Sequence, residues 1–121
     1  MTARARTALI LCVDDYENIL AGWEMLLKGE GYEVLTASDW STALKLFATH
    51  PVDEVVLDYQ MQEMTGDVMA SRMKAMKPDV PVLLVSGDAS LLQNKIKSVE
   101  AFLLKADSIT SLLATVKTLL N

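Results

Sequence analysis

Residues 55–58, Val55-Val56-Leu57-Asp58, constrain this chain most. Three consecutive apolar residues, two of them β-branched, follow Pro51 closely and are too few for a helix, so they predict a short strand. Successive strand side chains point to opposite faces, so an unbroken apolar run is buried on both. That is the condition of a central parallel strand covered by helices on either side. The strand closes on a carboxylate, and open α/β sheets bind ligands beyond the carboxyl ends of their strands. Asp58 therefore stands where chemistry is expected.

The same unit recurs along the chain. An apolar run at 8–13 ends in Asp14-Asp15. It is followed by a helix with Ile19, Trp23, Leu26 and Leu27 on one face, stopping near Gly29 and Gly31. A brief strand at 32–36 leads to a helix capped by Ser38 or Asp39, with Trp40, Leu44 and Phe47 as its buried stripe. After the 52–60 stretch and a polar loop at 60–65, a helix runs from Gly66 to about Lys77, with Met69, Met73 and Met76 read as core packing, the alternative being a partner-binding face. An apolar run at 82–85 ends at Ser86-Gly87-Asp88, and a less apolar helix is expected at about 89–97. The last strand, 101–104, ends at Lys105. A final helix, capped by Asp107 or Ser108, carries Ile109, Leu112, Leu113, Val116 and Leu120 inward. Five βα units predict an α/β fold, a doubly wound five-stranded parallel sheet filling residues 1–121 as one domain.

Composition narrows the function. A net charge of −5 argues against direct nucleic-acid binding, which needs a basic face, and suits acidic groups gathered to hold a cation. The single cysteine, Cys12, permits no internal disulfide and reads as a small buried hydrophobe. No apolar run is long enough for a membrane span and no secretory signal is convincing, so the expected location is cytoplasmic. His50, a lone loop histidine before Pro51, is assigned no role.

In a parallel sheet, four strand ends bring Asp14-Asp15, Asp58, Ser86 and Lys105 to one edge. Three carboxylates at one site repel each other, and a divalent cation resolves the conflict. Mg²⁺ takes oxygen ligands and pairs carboxylates with phosphate oxygens. A carboxylate beside it can attack phosphorus to give an aspartyl-phosphate. The Lys105 ammonium, the Ser86 hydroxyl and the unhindered backbone at Gly87 would then stabilise charge on the phosphoryl oxygens.

At these residues the chain resembles the receiver domain of two-component response regulators. The matching pieces are 11–15, 56–61 with 64–66, 81–87 and 101–105. The resemblance implies a flavodoxin-like receiver fold with strand order 2-1-3-4-5 and Asp58 as phosphoacceptor. It implies catalytic roles for Asp58, Lys105 and Ser86. Mg²⁺ would be held by Asp15, Asp58 and the backbone carbonyl of Gln60, with Asp14 acting through water. Ser86 and Phe102 would be switch residues that move together on phosphorylation. The implied partners are a histidine kinase or a histidine phosphotransfer protein, then a downstream protein or an output domain. A homodimer through the fourth helix and fifth strand is compatible with it. Gln60 and Asp88 would flank the phosphate and set its lifetime.

The chain departs from the family pattern at three places. Gln62 and Ala106 stand where receivers carry proline, so a trans bond is expected after Lys105. Only 18 residues separate Ser86 from Lys105, which predicts a short or displaced helix at 89–97, with Ser98-Val99 replacing the small-residue turn before the last strand. The chain ends after its last helix, which suggests either a single-domain regulator or an excised receiver. Two other functions share these residues. One is an aspartate-nucleophile phosphohydrolase of the haloacid dehalogenase kind, which wants a second Asp where this chain has Gln60. The other is a receiver-like docking module indifferent to phosphate.

Overall fold

A computed structural model describes residues 7–88 and 98–121. Five parallel strands form one sheet: β1 (Leu9–Val13), β2 (Glu33–Ala37), β3 (Glu54–Asp58), β4 (Val82–Ser86) and β5 (Ala101–Leu104). Their spatial order is β2-β1-β3-β4-β5. Four helices occupy the described residues: α1 (Glu17–Gly29), α2 (Trp40–Thr49), α3 (Gly66–Met76) and α4 (Ile109–Leu120). The doubly wound α/β architecture and strand order expected from the sequence are both found. The helix expected at about 89–97 lies outside the described residues.

Strand alternation divides the core into two layers. Leu11, Val13, Val55, Leu57 and Leu84 pack with Phe47 of α2 and with Met69 and Met73 of α3. Ile10, Cys12, Val56, Leu83 and Val85 pack with Leu20, Trp23 and Leu27 of α1 and with Leu112 and Val116 of α4. Every residue of β1, β3 and β4 is buried, so the three central strands are covered on both faces. β5, at the sheet edge, is only half-buried. Burial among apolar neighbours pushes the Cys12 thiol well above its ordinary pKa, with the charges of Glu54 and Glu24 adding to the shift. Cys12 is thus the inert hydrophobe expected.

Local chemistry sets the element ends. Gly31 adopts φ +94°, the left-handed conformation that closes α1, and its N–H donates to Lys28 O at 3.0 Å. Asp39, and not Ser38, caps α2: its Oδ1 accepts from Thr42 N at 2.7 Å. Ser108, and not Asp107, caps α4 by accepting from Ser111 N at 3.1 Å. Asp107 closes the turn before it, accepting from Leu104 N at 2.8 Å. At the start of β5, Glu100 does what a small-residue turn would do: its Oε1 accepts from Val82 N and its Oε2 pairs with Lys74 at 2.6 Å. No peptide bond among the described residues is cis, so the bond after Lys105 is trans, as expected.

Several expected positions shift. β1 begins at Leu9 and β2 at Glu33, each one residue late, where ladder pairing starts. In α1, Leu20 is buried, whereas Ile19 and Leu26 are half-buried at its flanks. In α2, Ala43 joins Phe47 in the core, and Trp40 and Leu44 are half-buried against it. Met76 is 43% exposed because α3 ends there, beyond the sheet's cover. Ile109 is 56% exposed because it is the first helical residue of α4, at the open rim of the sheet.

Gly66 opens α3 hard against the strand that ends in Asp58. A Cβ there would stand 2.8 Å from Asp58 O, 2.8 Å from Tyr59 Cα and 2.7 Å from Leu84 Cδ1. Two of those contacts are backbone and cannot rotate away. Gly66→Ala is expected to destabilise the fold by about 1–3 kcal/mol in urea denaturation, the usual cost of overpacking. A change below 0.5 kcal/mol (roughly the neutral surface range) would show that the loop yields.

Candidate functional site

The carboxyl ends of β1, β3 and β5 converge as topology requires. Asp14 follows β1 and is fully buried, and Asp58 ends β3 with 2% exposure. Asp15 is half-buried beside them. Asp14, Asp15 and Asp58 each offer a carboxylate oxygen, and these oxygens lie within 4.8 Å of one another. Lys105, held next to β4 by its own N–H donating to Ser86 O at 2.8 Å, extends its ammonium to two of them. Its Nζ lies 3.1 Å from Asp14 Oδ2 and 3.3 Å from Asp58 Oδ1. Asp14 Oδ1 accepts from Tyr16 N at 2.9 Å, which locks that carboxylate's orientation. A cleft of about 250 Å³ opens over the cluster, lined by Asp15, Tyr16, Asp58, Gln60, Gln62 and Lys105 among others.

The remaining sequence candidates are placed differently. Ser86, fully buried at the end of β4, accepts from Asp88 N at 3.0 Å through its hydroxyl. Asp88 itself is exposed. Phe102 of β5 is half-buried and packs against the core layer of α2 and α3. Tyr16 was not anticipated: the Lys105 ammonium lies 5.7 Å from its ring centroid. An aromatic immediately after the acidic pair was the available signal. Two further residues escaped the sequence reading. The Trp40 indole Nε1–H donates to Glu63 Oε2 at 2.8 Å, and Glu63 has φ +71°.

The electrostatics are unbalanced. Burial, then the neighbouring Asp14 charge, raise the Asp58 pKa to about 6, against the pull of Lys105 and the Gln60 backbone amide. Burial works against the Lys105 ammonium, but the hydrogen bond from Lys105 to Asp14 and the charges of Asp58 and Asp14 outweigh it and raise its pKa. One lysine thus serves two carboxylates incompletely. Asp15 Oδ1 and Asp58 Oδ2 are buried and accept no hydrogen bond from the described residues. Hard oxygen donors, close together, buried and short of positive charge, fit a small divalent cation such as Mg²⁺.

A profile of the family described as the response regulator receiver domain matches residues 10–117. The chain belongs to that family. As a receiver it is similar to the transcriptional regulatory protein PrrA of Mycobacterium tuberculosis, 35% identical over 116 residues, which are 93% of this chain and 49% of PrrA. The receiver therefore spans about half the length of that relative. Its structure is similar to the response regulator TrrA of Thermotoga maritima in complex with Mg²⁺-BeF. That pair shares 29% identity and a TM-score of 0.88 over 93% of this chain and 99% of TrrA's. It is also similar to the signal receiver domain of an HD domain-containing protein from Pseudomonas fluorescens. There the identity is 27% and the TM-score 0.90, over 99% of this chain and 91% of that one. Receivers are signalling modules, and among the described residues no helix is long and apolar enough to cross a membrane.

The raised Asp58 pKa has a signed consequence. An acid whose pKa is higher folded than unfolded favours folding at low pH, and that contribution is lost as pH rises through the folded value. In chelator, stability should fall between about pH 4 and pH 6. The loss should be on the order of 3 kcal/mol, since each tenfold change in proton affinity is worth about 1.4 kcal/mol. Asp58→Asn should flatten that slope and raise the melting temperature at pH 7.5. Equal slopes for the two proteins would exclude Asp58 as the strained carboxylate.

Proposed function

We propose that the chain, residues 1–121, is one receiver domain that works as a phosphorylation switch, with Asp58 as the phosphoacceptor. One observation carries this reading: three carboxylates from two strand ends share a site with a lysine from a third. The ligand named for TrrA, Mg²⁺-BeF, extends the proposal to this chain. Asp14, Asp15, Asp58 and the Gln60 backbone carbonyl would hold Mg²⁺. When bound, the ion would neutralise the clustered carboxylates and draw charge from the phosphoryl oxygens.

The chain's own residues supply the rest. An ionised Asp58 oxygen attacks phosphorus as the phosphorus–nitrogen bond of a phosphohistidine breaks, and the imidazole leaves with the bonding electrons. The pKa near 6 leaves Asp58 mostly ionised at neutral pH, hence nucleophilic. Lys105 then meets the new charge on the phosphoryl oxygens, and the Ser86 hydroxyl has a proton to donate to one of them. Movement of Ser86 toward that oxygen would draw on the packing of Phe102, changing the surface around β5. The phosphoryl donor would be a histidine kinase or a histidine phosphotransfer protein, and the target a downstream protein or an output domain, in a cytoplasmic pathway. Gln60, which lines the cleft, and Asp88, whose N–H is bonded to the Ser86 hydroxyl, would set how fast water removes the phosphate.

Incubation with Mg²⁺ and a small-molecule phosphodonor should add one phosphoryl group per chain, measured by intact mass. Asp58→Asn should abolish the adduct, chelation should prevent it, and Lys105→Met should slow it by about 100-fold, as loss of one preorganised electrostatic donor does. Full labelling of the Asp58→Asn protein would disprove the assignment.

A further inference from the structure

The loop between β3 and α3 holds a shape its sequence does not favour. Glu63 lies at φ +71°, in the left-handed region that residues with a side chain adopt only at a cost. Such a conformation persists where surrounding structure over-determines it. Three anchors hold this loop. At its base, Gly66 N–H donates to Tyr59 O at 2.6 Å. Midway, Met61 is buried in the core layer of α2 and α3. At its crest, the Trp40 indole reaches across from the first turn of α2 and donates to Glu63 Oε2 at 2.8 Å.

The third anchor acts on the left-handed residue itself. Both bonded residues line a cavity of about 290 Å³, together with Asp15, Ser38, Asp39 and Met61 among others. Asp15 also lines the cleft over Asp58, so the bonded pair Trp40 and Glu63 shares a cavity wall with a candidate ligand. The indole is a neutral donor and brings no positive charge to compete with a cation. Its own place is fixed, since the Asp39 cap starts the helix and the Trp40 ring packs against the core layer.

We infer that Trp40 and Glu63 are positioning residues, a strap that keeps the 60–65 loop in its cation-competent shape. The inference rests on the reading of the acidic cluster as a Mg²⁺ site. A cation that binds only the ordered loop has an apparent affinity proportional to the fraction of chains with the loop so ordered. The bond is solvent-edged and therefore modest, so its loss should weaken Mg²⁺ binding by about threefold to tenfold.

The test compares the full chain with W40F, E63A, E63Q and the W40F/E63A double variant. Mg²⁺ affinity is measured calorimetrically, and amide exchange at 60–65 by NMR in chelator. Trp40→Phe keeps the ring stacked and removes no charge, so lost affinity in W40F cannot be a charge effect. W40F and E63A should each weaken Mg²⁺ binding by about threefold to tenfold and speed exchange at 62–65. Glu63→Gln, which keeps an acceptor oxygen, should stay within about twofold in physiological salt. Trp40→Phe should have no further effect once Glu63 is Ala, the signature of a coupled pair. Unchanged exchange at 62–65 and unchanged affinity in W40F would overturn the strap. A wild-type chain that binds no Mg²⁺ would instead overturn the site reading beneath it, and the exchange comparison would still decide whether Trp40 holds the loop.

Discussion

The mutual repulsion of Asp14, Asp15 and Asp58 is the constraint on which the rest of this structure turns. Parallel topology sends the ends of β1 and β3 to one edge, and burial then removes the water that would screen their charges. Lys105 answers two of the three, yet the Asp58 pKa still rises to about 6. An edge left short of positive charge favours whatever brings it. A phosphoryl group on Asp58 would add about one further negative charge, and a divalent cation adds two positive ones. The pair together would suit the site better than either alone, so on the proposed reading charge balance would couple phosphorylation to the metal.

The fold keeps that edge rigid by filling both faces of β1, β3 and β4 with apolar side chains. The strand ends inherit their positions from the core beneath them, and function is left to the loops, where substitution is cheaper. Gly66 illustrates the coupling. It permits α3 to start against Asp58 O and Tyr59, so the helix that buries Met69 and Met73 also fixes the exit of the strand carrying the acceptor.

The strands and their polar tips were legible because each depends on a local pattern: an apolar run, a turn residue, a terminal carboxylate or lysine; the strand order came from the family resemblance. The clustering of Asp14, Asp15, Asp58 and Lys105 followed once parallel topology placed them on one edge. Side-chain exposure at element ends was less legible. Ile109 and Met76 fit their helical stripes yet lie beyond the sheet's cover, and periodicity does not record where a neighbouring layer stops. Competing caps were ambiguous for a related reason: Ser38 and Asp39, or Asp107 and Ser108, differ by one residue, and backbone geometry chooses between them. The Trp40–Glu63 bond was invisible because it joins residues 23 apart with no shared pattern. Trp40 read as a core residue, and its polar edge was overlooked.

Ser86 shows how such a site can change state without breaking what it has. Its hydroxyl accepts the Asp88 N–H at 3.0 Å. A hydroxyl that accepts one hydrogen bond keeps its own proton, and rotation about one torsion redirects it. On the phosphorylation reading, Ser86 can turn that proton toward a phosphoryl oxygen while Asp88 N–H stays engaged. Lys105 is placed otherwise: it is shared between Asp14 and Asp58, so phosphoryl oxygens must draw it from its present partners. The hydroxyl contact therefore forms at little cost, whereas the lysine contact exchanges one ion pair for another. On that reading, the free energy that distinguishes the two states would come chiefly from the new Ser86 contact at the end of β4, with little net gain from the lysine exchange.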